Sequence, residues 1–252
     1  MKRILLSILI SICLSALPQY VQAQFEGQID FLIHNYQDGN QEVTNLDMTF
    51  AKDRIYLGSQ STLDVMSGLS TNGILVRNDH QDFVFMTGHN EALKVAKSDI
   101  DGLVNLINRV QGKAEPEEKT PFRWDEKVVE TGNTKTINGY QTREFVLKSD
   151  ENNGSVSVWL TDQIKVNWGL LNEVWHTTGS KQLGEEIPIE LVMNRNSFPL
   201  LIEAFEDDII VLRAESVVVN TRNFDRSKIE LSSDLKMLGF ADLMMNMFRQ
   251  RR

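Results

Sequence analysis

Cysteine is almost missing from this sequence. Cys13 is the single one in 252 residues, and it lies inside an N-terminal apolar run. Once that run is removed, no thiol remains. A catalytic thiolate, a Cys-ligated zinc and any disulfide are thereby excluded. Histidine is scarce too: His34, His80, His89 and His176 are the four, and none falls in an H-E-x-x-H or other short metal-ligand spacing. The nucleophile elbow G-x-S-x-G, the dinucleotide fingerprint G-x-G-x-x-G and the phosphate-binding P-loop are all absent. Positive charge is in deficit, with 26 basic against 35 acidic residues and a formal charge of −9. Such a surface repels phosphate backbones, so a nucleic-acid partner is not expected. The sequence points to no metal and no cofactor.

The first 23 residues read as a secretory leader. Lys2 and Arg3 form a basic start, "ILLSILISICLSAL" an apolar stretch, Pro18 a break, and "VQA" at 21–23 a small-residue cleavage site before Gln24. The apolar stretch is shorter than the roughly 20 residues of a membrane span, and no second one follows. A lipoprotein acylated on Cys13 is the rival reading. A lipobox places a small residue before the cysteine, whereas Ile12 stands there. Cleavage near Ala23 leaves 229 residues carrying a charge of −11, expected as one domain over 24–252 in the periplasm or outside the cell. Without disulfides, that domain must be stabilised by its apolar core.

What remains alternates like a sheet protein. Phe25, Ile29, Phe31 and Ile33 share one side of "FEGQIDFLIH", with Glu26, Gln28 and Asp30 on the other. "NYQDGNQE" reads as a turn, and Leu46, Met48 and Phe50 carry the apolar side onto a second strand. "IYLG", "GILVR" and "DFVFM" follow at short spacing, the last two joined by "NDHQ". Helical spacing appears at 98–110, around 167–176 and at 233–250, each with an apolar stripe that needs a partner. "GKAEPEEKTP", near 112–122, reads as a surface loop or lobe boundary. "DEKVVET", a turn at "GN" and a short "TKTI" lead to "KTINGYQTREFVL". There Asn138-Gly139 is the preferred pair of a two-residue hairpin turn, since both positions need positive φ. Tyr140 has no base or metal partner in sequence to activate it, so the Gly-Tyr step reads as register-setting. "FEDD", with Glu206, Asp207 and Asp208, reads as a turn between the strands "PLLIEAFED" and "IIVLRAESVVVNT".

Thr136, Ile137, Gly139 and Tyr140, followed by Val158, Trp159, Leu160 and Thr161, resemble the central hairpin and next strand of an uncharacterised secreted family related to the LolA/LolB lipoprotein carriers. The match covers about 40 residues, and "FEGQIDFLI" agrees more loosely. Thr142 departs from the cysteine that many members carry there. The resemblance implies an α+β fold: a strongly curved antiparallel sheet, an unclosed half-barrel, with helices covering its concave face.

In the carriers that face holds acyl chains. The resemblance therefore implies a non-enzymatic protein for an apolar small molecule, a lipid or a lipoprotein. Candidate lining residues are Phe31, Ile33, Met48 and Phe50 from the strands, with Trp159 and Trp168. Met245 and Phe248 come from the methionine-rich C-terminal segment, which also carries Met237, Met244 and Met247. Each of these groups has an ordinary reading as core packing. A structural or sensory interaction module with a filled interior is the alternative function. A hydrolase assembled from distant residues is a third.

Overall fold

The computed structural model describes residues 24–37, 40–66, 69–88, 90–102, 128–148, 154–178, 192–193 and 196–241. Among these, twelve strands form one sheet. In chain order they are β1 (Gly27–Gln37), β2 (Asn40–Ala51), β3 (Arg54–Met66), β4 (Leu69–Arg77), β5 (Asp82–Met86), β6 (Glu91–Ala96), β7 (Val128–Ile137), β8 (Tyr140–Lys148), β9 (Ser155–Thr161), β10 (Phe198–Glu206), β11 (Ile209–Asn220) and β12 (Lys236–Gly239). Their spatial order is β12-β6-β5-β4-β3-β2-β1-β11-β10-β9-β8-β7, so the sheet ends on β12 and β7 without closing on itself. Every neighbouring pair is antiparallel except β12 with β6. The join of β1 to β11 links the first half of the chain to the second. An unclosed, overwhelmingly antiparallel sheet is therefore observed.

Turn chemistry explains the hairpins. Asn138 and Gly139 both take positive φ (50° and 84°), as the two-residue turn between β7 and β8 requires. Asp207 and Asp208 do the same between β10 and β11 (48° and 64°), where aspartate tolerates the left-handed region better than most residues. "GN", by contrast, is not a turn. Gly132 and Asn133 lie inside the continuous strand β7, at a register shift against β8 between Glu130 and Thr134, with Gly132 at φ 81°. Glycine adopts the left-handed conformation a bulge needs, and the bulge leaves the strand intact.

Period-two alternation sorts side chains onto two faces. On one face of β1 to β6 lie Ile29, Phe31, Met48, Phe50, Ile55, Val76, Phe83, Phe85, Leu93 and Val95. On the other, Leu75, Val84 and Ala92 are covered by Ile229, with Phe224, Leu231 and Leu235 packed alongside. Tyr56 belongs to this second face and lies against Gly58 and Gly73, where any Cβ would run into its ring or hydroxyl.

The helix α1 (Gly169–Thr178) lies where the helical spacing around 167–176 predicts one. It contributes Leu170, Leu171 and Val174 to the first face's cluster, and Trp168 just ahead of it joins them. Its start is held from a distance. Asn78, in the β4–β5 turn, accepts from the Leu170 amide (2.8 Å) and donates to the Asn167 carbonyl (3.2 Å). A cap 92 residues away in sequence satisfies an orphan helical N–H. Gly169 sits at φ 37°, and a Cβ there would meet the Asn78 amide.

The expected helix over 233–250 is corrected in its first part. Residues 236–239 are the strand β12, parallel to β6, with Leu238 beside Leu93. The Lys236 amide is held by the Asn90 carbonyl (2.9 Å) and its ammonium by Glu91 (2.8 Å), so a free strand edge captured this stretch. Residues 240–241 are helical, and the rest of that segment lies outside the described residues. Of the helix read over 98–110, residues 97–102 are helical and bring Ile100 into the core, while 103–110 lie outside. The loop at 112–122 and the leader at 1–23 also lie outside.

Candidate functional site

The apolar face is not uniform. Over β1 to β6, joined by Trp168 and by Phe198 at the start of β10, the aromatic rings interlock. Phe50 meets Phe25, Trp168 and Phe198 edge-on at centroid distances of 5.9, 6.0 and 5.7 Å. Trp168 stacks flat on Phe198 at 5.7 Å, and Phe31 tilts against Phe198 at 6.3 Å. Such geometries add roughly 0.5–1.5 kcal/mol per pair beyond burial. Phe50 is 1% exposed and Trp168 4%. Phe31, Met48, Phe50 and Trp168, four of the expected lining residues, thus come together as the packed centre of the molecule.

The other half is aliphatic. Val156, Val158 and Leu160 of β9 form a second cluster with Ile202 of β10 and Ala214 of β11. Partly buried Ile33, Phe145, Leu147, Ala204 and Leu212 surround them, with Val128 and Val192. Ile33 is the one expected residue that joins it. Its partner across the ladder is Ala214, while Phe31, two residues earlier on the same face, pairs with Ser216. The two clusters therefore meet between Phe31 and Ile33. Phe145 is the only aromatic side chain in the aliphatic set among the described residues.

Trp159 joins neither cluster. It alternates with Val158 and Leu160, so its indole takes the opposite side of β9. There the Lys135 ammonium sits 3.7 Å from its ring centroid, and its buried Nε1 has no hydrogen-bond partner among the described residues. Burial lowers the Lys135 pKa against the opposing pull of Glu203, with Arg213 adding to the fall.

Charges around it are spent on one another. Arg213 binds Glu203 (2.9 Å) and Glu215 (2.7 Å), and His34 approaches Glu215 at 3.7 Å. Glu144 accepts from Asn133 (2.7 Å), Ser157 (2.7 Å) and Thr131 (2.8 Å). Burial alone would raise the Glu144 pKa. The three donors and the Lys135 charge outweigh it and hold the carboxyl below its ordinary range.

Met245 and Phe248 lie outside the described residues. Asp79, His80 and Asp82 do not converge: Asp82 is bound twice by Arg77 (2.7 and 2.6 Å), and Asp79 faces Arg54 and His80. Among the described residues no group of three or more His, Cys, Asp or Glu is placed to hold a metal ion. Also among them, no helix is long and apolar enough to cross a membrane.

No family model matches this sequence, and no curated protein does. Solved structures similar to it include PNGF-II, at 13% identity and a TM-score of 0.40, covering 89% of this chain and 33% of that one. The chain thus spans about a third of that protein's length. They also include a LolA superfamily protein from Nitrosomonas europaea, at 10% identity and a TM-score of 0.30, covering 84% of this chain and 93% of the other. A Vibrio parahaemolyticus domain named for outer membrane lipoprotein sorting is matched at 8% identity and a TM-score of 0.26, covering 83% and 91%. Structural neighbours of the LolA type, which the sequence resemblance led one to expect, are thus found. At these identities and scores they carry no inference about activity.

Proposed function

We propose that this protein is a non-enzymatic binder of an apolar ligand, such as a lipid or the acyl end of a lipoprotein, acting in the periplasm or outside the cell after loss of its leader. The observation that carries the proposal is the aliphatic half of the apolar face. A half-buried surface of Ile33, Phe145, Leu147 and Leu212 around Val158, Leu160 and Ile202 offers flexible chains a contact without polar demands. The driving force is apolar area leaving water, about 25 cal/mol per Å². No directed bond is required, which suits a ligand recognised by its greasiness.

Delipidated protein titrated with dansylundecanoic acid should show a saturable rise in fluorescence, weakened about tenfold by Leu212→Ser. No saturable response removes the proposal. The second reading, a protein-interaction module with a filled interior, is favoured by the interlocked rings of Phe25, Phe31, Phe50, Trp168 and Phe198. A non-binding wild type that pulls down one envelope protein in stoichiometric amount supports that reading.

A further inference from the structure

We infer that the tip of the β7–β8 hairpin, residues 133–142, is a latched strap that gates the boundary between the two halves of the apolar face. The inference rests on the ligand-binding reading above for its purpose, though not for the latch itself.

Four observations place the strap. The β8–β9 ladder begins at Arg143 with Leu160, so residues 140–142 have no ladder partner on β9, and the Gln141 amide donates instead to the Gln163 side chain just past that strand (3.0 Å). The other leg is interrupted at Gly132, where the register shifts and φ is positive, with open space around the missing Cβ. The tip therefore has a pivot on each leg, a bulge on β7 and a ladder end on β8.

It is fastened far from its own neighbours in the sheet. Asn138 Nδ2 donates to the Ser216 carbonyl (2.7 Å) and to its hydroxyl (2.9 Å), on β11, with β9 and β10 lying between in the strand order. The Ser216 hydroxyl in turn donates to the Leu200 carbonyl (2.9 Å), tying the latch to β10. Lastly, Ile137 and Tyr140, flanking the turn, pack against the aromatic cluster.

The latch point has a definite position. Ser216 pairs with Phe31 of the aromatic half, and Ala214, next along that face, pairs with Ile33 of the aliphatic half. A strap seated there closes the junction of the two clusters, and lifting it uncovers apolar surface that the closed form hides. Lys135 lies on the same tip, and its contact with Trp159 of β9 is a second fastening. A minor open population of this kind lets a ligand reach apolar surface beside the packed centre.

The test uses Asn138→Gly, which keeps the positive φ the turn needs and removes the amide that latches it. Hydrogen exchange should speed up about tenfold at the tip amides of 133–142 and stay unchanged in β2 to β5. In the same variant, dansylundecanoic acid should associate several-fold faster. Ser216→Ala should give a smaller change, and the double variant should add little, because both remove one contact. Tip exchange equal to wild type in Asn138→Gly overturns the latch. Faster exchange with unaltered association overturns the gate. A wild type that binds no probe overturns the proposed function, while the exchange result still decides the latch.

Discussion

The two halves of one sheet face differ in what their side chains are committed to. Around Phe50 the rings share partners: Phe50 and Phe198 each meet three others, Trp168 meets two, and Trp168 and Phe198 lie parallel within 5°. Around Val158 the neighbours are branched aliphatics, two alanines, Ala204 and Ala214, and the single ring of Phe145, and most of the set is only partly buried. The same alternating pattern produced both, so the hydrophobic period does not separate structural core from binding surface. Ring content and completeness of cover do. Interlocked aromatic residues give a centre with one arrangement, whereas aliphatic side chains without specific partners tolerate an exchangeable occupant.

The largest expected effect tests the structural side of this contrast. Phe198→Ala should cost about 3–5 kcal/mol of unfolding free energy in urea titration, because it opens the centre of the ring cluster. Leu212→Ala, on a partly buried aliphatic residue, should cost about 1–2 kcal/mol while weakening probe binding. Equal losses of stability would erase the distinction between the halves.

Next in size is the device that holds α1 over the aromatic half. Gly169→Ala forces a Cβ toward the Asn78 amide at φ 37° and should destabilise by about 1–2 kcal/mol. Asn78→Ala should cost about 1 kcal/mol by leaving the Leu170 amide uncapped, read by the same titration. Both should leave probe affinity within twofold of wild type, since neither residue touches the aliphatic cluster.

The smallest effect is electrostatic. Glu144 has a folded-state pKa below its ordinary value, so its contribution to stability is present above the ordinary carboxylate range and is lost as pH falls through the folded value. Wild type should therefore exceed Glu144→Gln in urea midpoint at neutral pH, with the gap closing below the ordinary carboxylate pKa. A gap that widens on acidification contradicts the assignment of its donors.

Much of this architecture was legible in the residues. Asn138-Gly139 and Asp207-Asp208 announce their turns because positive φ restricts which side chains fit. The helical spacing around 167–176 announces α1. Other features needed the third dimension. "GN" looked like a turn because a glycine bulge and a glycine turn share the same backbone requirement. Residues 236–239 carry no signal of their own, and it is the edge of β6 that makes them a strand. The Asn78 cap and the Asn138 latch join residues 92 and 78 positions apart, beyond the reach of any local pattern.

Of the expected lining residues, Phe31, Met48, Phe50 and Trp168 lie buried in the aromatic cluster. Which inward residues stay committed to packing depends on ring neighbours contributed by other strands. Trp159 is different. Its alternation with Val158 and Leu160 in "SVSVWLT" already places it on the opposite side.

The contrast between the halves places ligand against the aliphatic side chains and not among the rings. A fatty acid bearing a photoactivated diazirine near its methyl end, bound to delipidated protein and mapped by peptide mass spectrometry, addresses it directly. Adducts are expected at Phe145, Leu147, Ile202 and Leu212, competed away by unlabelled fatty acid. Adducts spread over exposed Val217, Val218 and Ile209, or none that unlabelled fatty acid displaces, would contradict it.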